Sequence, residues 1–428
     1  MDRAQARAGP RIVTPDGQGE VAVIGGGMVG LSAALALLQR GRPVTLIDPG
    51  DPMGQASYGN AGVLSRGSIF PIAGPGLVAK LPGYGLGKCV AVRVNRRSLH
   101  TMVPWVRRFL AACSEPAWRG AAEALDPLVR TAIDHHMALA AELGITQRYR
   151  QTGFLRLYRQ AGGLAGAARE RGVLERFGIE AQPLDARGLA DLEPVLAERY
   201  AEGLHFNQSM SVDNPGAIVM AMRDAFRARG GLDLPGHVRA ISSLGDGVEL
   251  VVDGRTLRFA QAVVAAGVSS STLTRPLGDR IPLVGERGYH RLVPWSGNAA
   301  LSRPIYDVAG GFVASPMEGG LRVLSGVELA LPDDPPDHTQ IDAVLADAAG
   351  RLPIDANGAG PVWMGSRPST PDSLPVIGFS KASRAVVYAF GHGHIGFANG
   401  PATGQAVAAL LSGDLPDVPI EAFSPRRF

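Results

Sequence analysis

Residues Val21 to Asp48 read Val-Ala-Val-Ile-Gly-Gly-Gly-Met-Val-Gly-Leu-Ser-Ala-Ala-Leu-Ala-Leu-Leu-Gln-Arg-Gly-Arg-Pro-Val-Thr-Leu-Ile-Asp. The run predicts a strand, a helix and a second strand. Val21 to Ile24 are short, apolar and mostly β-branched, as in a buried parallel strand. Gly25, Gly27 and Gly30 then keep a G-x-G-x-x-G spacing, the pattern of a turn that admits a dinucleotide pyrophosphate. Gly25 permits the tight turn, Gly27 lets the backbone approach the phosphates, and Gly30 lets the helix pack close to the sheet. Met28 and Val29 sit at the start of that helix, where free N–H groups and the positive dipole end face an anion. The helix is Ala- and Leu-rich to Arg40, with Gly41 as its left-handed stop. Val44 to Ile47 form the second strand. Asp48, 18 residues after Gly30, is placed to accept hydrogen bonds from an adenosine ribose.

A lone glycine fingerprint is weak, but one in register with strand, helix, stop and terminal acid specifies a dinucleotide site. A membrane span over residues 21–38 is the alternative, and four glycines inside it, at about 1 kcal/mol each, weigh against it. The polar lead from Met1 to Glu20 has no apolar signal core, and residues 1–19 are expected to be a disordered tail. The 428 residues suggest two domains. A net charge of +3 does not suit a nucleic-acid binder. Cys89 and Cys113 form neither a C-x-x-C nor a zinc spacing, so a cytoplasmic setting with plain thiols is expected.

Outward from the first unit, Ser57-Tyr58-Gly59-Asn60-Ala61-Gly62 reads as a polar, glycine-rich loop. Between Lys80 and Arg119, eight basic residues face one acid, Glu115, with Trp105, Phe109 and Trp118 interleaved. That stretch reads as a solvated helix face whose aromatics belong to the core, with docking on an anionic membrane surface as the functional alternative. Gly83 to Lys88 fails the phosphate-loop spacing. Helices are expected over 121–145, from Pro215 to Arg229 and from Thr339 to Arg351, with a last one from Pro401 to Ser412. Strands are expected at 152–158, His237–Ile241, Val248–Val252 and Leu257–Ala265, with Arg156 and Arg159 as surface charges. His135 and His136 point different ways on a helix and cannot share a metal. Ile281 to Glu328 is strand-like and carries Arg287, Tyr289, His290, Arg291 and Tyr306, a polar and aromatic set suited to roofing a pocket. His392 and His394 lie between glycines without an acid or cysteine partner, so no metal site is expected. Their turn, Gly391 to Phe397, reads as a second anion cradle at a helix start.

The order of five motifs resembles the D-amino-acid oxidase superfamily of flavoproteins, and within it the bacterial D-amino-acid dehydrogenases. These are the glycine unit, Ser57-x-x-Asn60-Ala61-Gly62, the Val263 to Gly267 strand end, Arg367-Pro368-x-x-Pro371-Asp372-x-x-Pro375-x-Ile377-Gly378, and Gly391-His392 through Gly396. The resemblance implies an α/β fold: a discontinuous FAD-binding domain with a parallel sheet (residues 20–75, 200–275 and 365–428) and a substrate domain with a mixed or antiparallel sheet (76–199 and 276–364). It implies FAD held without a covalent link. Gly25, Gly27, Gly30 and Asp48 would hold the ADP half, with Val238 near the adenine and Ala266 and Gly267 along the phosphates. Ser57, Asn60, Ala61 and Gly62 would sit near the ring, and Gly393, His394, Ile395 and Gly396 would aim N–H groups at its pyrimidine edge. Arg367 corresponds to the arginine that holds the substrate carboxylate, with Tyr289, His290 and Tyr306 as further pocket candidates. The implied reaction is oxidative deamination of a D-amino acid, or of a cyclic relative such as D-proline or hydroxyproline. Hydride would pass to flavin N5, the imine would hydrolyse to a 2-oxo acid, and electrons would go to a quinone or other acceptor. A glycine- or sarcosine-type oxidase using O₂ and a flavin-binding electron-relay subunit are the alternatives. Arg367 favours an enzyme, because a relay has no use for a buried cation beside the ring.

Overall fold

The computed structural model describes residues 20–77, 92–95, 99–245, 247–331 and 334–428. The tail at 1–19, the 83–88 stretch, and Lys80, Lys88, Cys89, Arg96 and Arg97 lie outside them.

Val21–Ile24 and Val44–Asp48 are fully buried strands joined by the Met28–Gln39 helix, so the first unit folds as its glycines dictate. They sit in a six-stranded sheet ordered Leu232–Pro235, Val44–Asp48, Val21–Ile24, Gln261–Val264, Val386–Phe390 and Val376–Phe379. The first five strands run parallel and the last antiparallel. The apolar runs are continuous because both faces are covered. On one side the Met28–Gln39 helix packs against Gly396–Ser412. On the other lies a three-stranded meander, Val238–Leu244, Gly247–Val252 and Arg255–Phe259. The Asp253-Gly254 turn has positive φ at both positions, the tight hairpin geometry expected of that pair. The expected strand Leu257–Ala265 is two strands. Residues to Phe259 close the meander, and Gln261–Val264 returns to the centre of the parallel sheet.

The last helix begins at Gly396, five residues before the expected Pro401. Pro401 has no N–H to bond the Phe397 carbonyl, and His136 Nε2 reaches that oxygen at 2.9 Å. His136 also meets the Tyr149 hydroxyl at 3.1 Å, and burial lowers its pKa to about 4. The histidine is therefore a neutral core residue that repairs a proline defect. The helix expected over 121–145 breaks at Thr131 into Glu115–Arg130 and Ala132–Leu143.

The larger sheet is mixed and mostly antiparallel, ordered Val92–Val94, Val327–Leu329, Val284–Val293, Gly320–Leu324, Phe312–Met317, Ile305–Asp307, Phe154–Tyr158, Glu202–Phe206 and Gln182–Asp185. Trp363–Ser369 pairs with Val284–Val293. Glu202–Phe206 and Trp363–Ser369 thus belong to this sheet, and hydrogen-bonded pairs cross the expected domain boundaries at 200 and 365. Its outer face packs on the Thr339–Ala349 helix through Leu155, Leu157, Tyr289, Ile305, Ala314 and Val323. Its inner face looks toward the nucleotide half.

Arg156 and Arg159, expected at the surface, are half-buried and paired. Arg156 binds Glu170 at 2.7 Å, and Arg159 links buried Asp307 at 2.9 Å to Asp347. Trp105 and Trp118 are core residues: the Trp105 indole donates to the Ser369 carbonyl at 3.0 Å, and Trp118 stacks on Phe70. No helix among the described residues is long and apolar enough to cross a membrane.

Candidate active site

A cavity of about 850 Å³ runs between the two sheets. At one end are Gly25, Gly27, Met28, Val29, Asp48, Ser57, Val238, Ala266 and Gly267; at the other are Asn60, Ala61, Arg367, Gly393, His394 and Gly396. Residues more than 300 positions apart in the chain are thus brought to one site. Ser57, expected near the ring, stands instead at the nucleotide end, where its hydroxyl accepts from the Met28 N–H at 3.0 Å. Gly30, Gly62 and Ile395 do not line the cavity. Gly30 and Gly62 act behind the wall: a Cβ on Gly30 would meet the Gly25 carbonyl closer than 3.0 Å, and one on Gly62, at φ +68°, would meet the Val212 carbonyl at 2.5 Å. Ile395 is a buried core residue.

At the nucleotide end, Gly25 has φ +107° and donates its N–H to the Ile47 carbonyl at 2.9 Å. Gly27 is the extended N-cap of the helix, and a Cβ there would find only Ser57 Oγ at 3.3 Å and Gln55 Oε1 at 4.0 Å. The backbone is bare on the cavity side, the cradle that a pyrophosphate needs. Asp48 is already well engaged. It accepts from the Gly26 N–H at 2.7 Å, the Gly50 N–H at 3.0 Å and Arg223 Nη1 at 3.2 Å. Arg223, buried in the Pro215–Ala228 helix and paired also with Asp233, is a partner that the sequence reading missed. Gln55 was missed too. Its amide reaches Asp48 at 3.3 Å, and its Oε1 is buried on the cavity wall without a partner among the described residues, a free acceptor for a ribose hydroxyl. A bare glycine turn, an orphaned acceptor and an engaged acid together fit an ADP moiety.

Strand register decides which side chains face the other end. One row crosses the larger sheet: Leu204, Arg156, Tyr306, Val313, Leu324, His290 and Trp363. Register partners share a face, and neighbours along a strand alternate. Arg156, Val313, Leu324 and Trp363 from this row line the cavity. His290 and Tyr306 belong to the same face but do not line it; His290 stacks on Trp363 with centroids 4.6 Å apart. Tyr289 points the other way, 1% exposed in the outer core with its hydroxyl on Glu328. Placing Tyr289 and His290 together in the pocket is therefore corrected by the two-residue period of the strand. Burial and the cations Arg322 and Arg367 lower the His290 pKa to about 3, so the ring is neutral at physiological pH.

Arg367 occupies the same face two residues along from Gly365. Its guanidinium lies over Gly288, where a Cβ would clash with all three of its terminal atoms. Among the described residues no carboxylate lies within 4 Å of it, and its one protein hydrogen bond is a long 3.4 Å contact to the Gly326 carbonyl. Burial lowers its pKa, opposed by Glu286 on the adjoining strand. Arg322, unforeseen from the sequence, is a second guanidinium here, this one buried, and donates to the Tyr58 carbonyl at 3.2 Å and the Asn60 carbonyl at 2.6 Å, fixing the Ser57 to Gly62 loop. His394 is exposed on the open cavity wall, and desolvation there together with the Arg367 charge lowers its pKa to about 4. Among the described residues no cluster could hold a metal.

Gly288→Ala tests the stacking of Arg367. The displaced atoms are the far end of a flexible side chain, so the variant folds and binds its cofactor, while carboxylate affinity falls by about 1–3 kcal/mol, the range for an overpacked site. Equal KM in the variant and wild type would show that the guanidinium is free to sit elsewhere.

Comparison with known proteins agrees with this geometry. The family model described as "FAD dependent oxidoreductase" (DAO) matches residues 20–410. A D-amino-acid oxidase of Bradyrhizobium diazoefficiens is 35% identical over 97% of this chain and 100% of its own length. A D-amino acid dehydrogenase of the same organism is 27% identical over 96% and 99%. Among solved structures, glycine oxidase from Geobacillus kaustophilus shares the fold with a TM-score of 0.76 at 22% identity, covering 95% of this chain and 98% of that one. A chain with this match across its length, a bare glycine cradle and a second helix start at one cavity belongs to the DAO family of FAD-dependent oxidoreductases.

Proposed function

We propose that the protein oxidises a D-amino acid, or a cyclic relative such as D-proline or hydroxyproline, to an imine that hydrolyses to a 2-oxo acid. The observation that carries this reading is Arg367, a half-buried guanidinium on the cavity wall with no carboxylate within 4 Å among the described residues. An α-carboxylate fits it with two parallel N–H···O bonds, and a fixed carboxylate fixes the neighbouring α-carbon. FAD, bound without a covalent link, supplies the two-electron oxidant. Gly25, Gly27, Asp48, Gln55 and Ser57 would hold its nucleotide half; Asn60, Ala61 and the Gly393 to Gly396 turn would line its ring end. The neutral rings of His290 and His394 add no positive charge that would disfavour the amine cation, and the substrate amine must lose its proton before oxidation.

A quinone or other carrier is the acceptor in this reading. The helix Val103–Ala112 supports a membrane-borne acceptor, since it exposes Arg107 and Arg108 beside Val103 and Leu110. Salt-sensitive pelleting with anionic vesicles is expected, and equal pelleting at low and high salt would remove electrostatic docking. Oxidase activity with O₂ is the second reading, favoured by the greater identity to the oxidase relative than to the dehydrogenase. Anaerobic bleaching of the yellow holoprotein near ~450 nm, the flavin band, against D- and L-amino acids, glycine, sarcosine and D-hydroxyproline decides the matter. Bleaching by a D-amino acid is expected. Slow recovery in air marks a dehydrogenase and fast recovery an oxidase. If no amino acid bleaches the flavin, the proposal fails and an electron-relay subunit takes its place.

A further inference from the structure

Glu286 stands behind Arg367 on the adjoining strand, its register partner and so on the same face. The carboxylate is 4% exposed, and its Oε2 has no hydrogen-bond partner. It does not line the main cavity. It lines a second, small cavity of about 10 Å³, together with Ser68, Ser369, Thr370, Ser373 and His392. That volume holds about one water. Ser369 Oγ is buried at the same place, beside the Glu286 carboxylate and near enough to lower its pKa, so a water there would meet both groups. Ile72, 38% exposed, lines the same cavity and brings it near the surface. Glu286 thus has the site's guanidinium on one side and, on the other, a small polar cavity close to the surface.

We propose that Glu286 is the exchangeable counter-charge of Arg367: ionised while the guanidinium lacks a ligand, and taking up one proton through the small cavity when a substrate carboxylate docks. The balance is simple. One carboxylate joins Arg367, one proton from solvent joins a Glu286 oxygen, and the buried cluster keeps one negative charge against one guanidinium. Without that proton, two carboxylates would share one cation, an arrangement that forces one of them to protonate. Burial already raises the Glu286 pKa in the substrate-free protein, while Arg367 and then the Ser369 hydroxyl hold it down, so drawing the Arg367 charge to another carboxylate moves it further upward.

The other groups around Glu286 do not supply this proton. From the 391–395 turn, buried His392 has its pKa lowered to about 3, and His394, exposed on the cavity wall, has its pKa lowered to about 4 by desolvation and by Arg367. On its own strand, His290 is likewise neutral and Arg287 lies on the opposite face, paired with Glu328. The Val327–Leu329 strand presents Leu329 as register partner, and the Val103–Ala112 helix presents the Trp105 indole, committed to the Ser369 carbonyl. Residues 68–72 and 370–373 add only hydroxyl and apolar groups to the cavity.

The inference rests on Arg367 as the carboxylate site, and the two are separable. Propionate, an unreactive carboxylate, is titrated into the FAD holoprotein from about pH 6 to 9, where it stays ionised and both histidines stay neutral. Binding is followed by the flavin spectrum and by calorimetry in phosphate and in Tris. Between the free and bound pKa values of Glu286, affinity is expected to fall tenfold per pH unit, with one proton taken up per propionate, since binding linked to proton uptake weakens as pH rises. Glu286→Gln is expected to bind propionate with no proton uptake and a flat pH profile. If wild-type protein takes up no proton at any pH in this range, the counter-charge role is wrong even should the Gln variant not fold. If Glu286→Gln takes up the same proton as wild type, another group carries it. If Arg367→Ala binds propionate as tightly as wild type, the carboxylate site itself lies elsewhere, a failure of the functional reading and not of Glu286 alone.

Discussion

Arg367→Ala is expected to yield a yellow protein with its full complement of FAD and almost no turnover. The guanidinium is half-buried on the cavity wall, and no described carboxylate reaches it. A bound α-carboxylate would then be left as an unpaired charge in a desolvated pocket. Breaking such a pair costs about 3–5 kcal/mol, or roughly two to four orders of magnitude in kcat/KM. KM rises because ground-state binding is lost, and kcat falls as the α-carbon loses its anchor. Arg367→Lys recovers little, since a single ammonium cannot reproduce the two-pronged fork. A small molecule lacking the carboxylate, such as a simple amine, separates the effects: the wild type and Arg367→Ala should oxidise it equally slowly. Unchanged kinetics with amino acids would place carboxylate recognition elsewhere, with Arg322 next in line.

The nucleotide end of the site was legible in the sequence because its demands are local. Gly25 needs positive φ, Gly27 needs a bare surface, and both needs are met within a dozen residues of chain. The substrate end was legible only in part. Glu286, Gly288 and His290 alternate with Arg287 and Tyr289, so a strand can offer one set or the other to a pocket. Which set faces inward is fixed by pairing with Trp363–Ser369, some 75 residues later, and no local pattern announces it. A glycine at 288 was a hint: on the inward face it leaves room for a neighbour's bulk, and that neighbour is Arg367. Arg223 and Arg322 were hidden for a related reason. Each is a cation in a largely apolar element, and its worth comes from partners distant in sequence: Asp48, and the Tyr58 and Asn60 carbonyls. The early start of the last helix did carry a signal. Gly396, Gly400 and Gly404 fall four apart, one face of a helix, and a Cβ on Gly400 or Gly404 would collide with Met28 or Ser32 of the first helix.

Gly30→Ala should abolish FAD binding, with an effect out of scale with the one methyl group added. Gly30 lies in the first turn of the Met28–Gln39 helix, where alanine would ordinarily stabilise by about 1 kcal/mol. Here the added Cβ meets the Gly25 carbonyl oxygen, a backbone atom fixed by its own turn, and comes within 3.5 Å of the Ala265 side chain, just past the end of the Gln261–Val264 strand. Neither can step aside: Gly25 donates to the Ile47 carbonyl and Ala265 donates to the Ile24 carbonyl, each at 2.9 Å, so both are tied to the sheet ends. The helix must therefore lift away, and lifting it separates the bare Gly27 turn from Asp48 and from the Ser57 hydroxyl bonded to Met28 N–H at 3.0 Å. It also loosens the helix from Gly400 and Gly404, where the two helix backbones lie closest. Overpacking of this kind costs about 1–3 kcal/mol or more in stability, so the apoprotein should still fold but melt several degrees lower. The ratio of flavin to protein absorbance after purification measures the loss directly. A variant that purifies yellow, with flavin in full stoichiometry, would mean that the helix tolerates the shift and that the glycine spacing is not what holds the nucleotide. Gly41→Ala provides the contrast. Gly41 has positive φ but nothing within 4 Å of a Cβ, so that variant should lose about 1 kcal/mol of stability to backbone strain and keep its FAD.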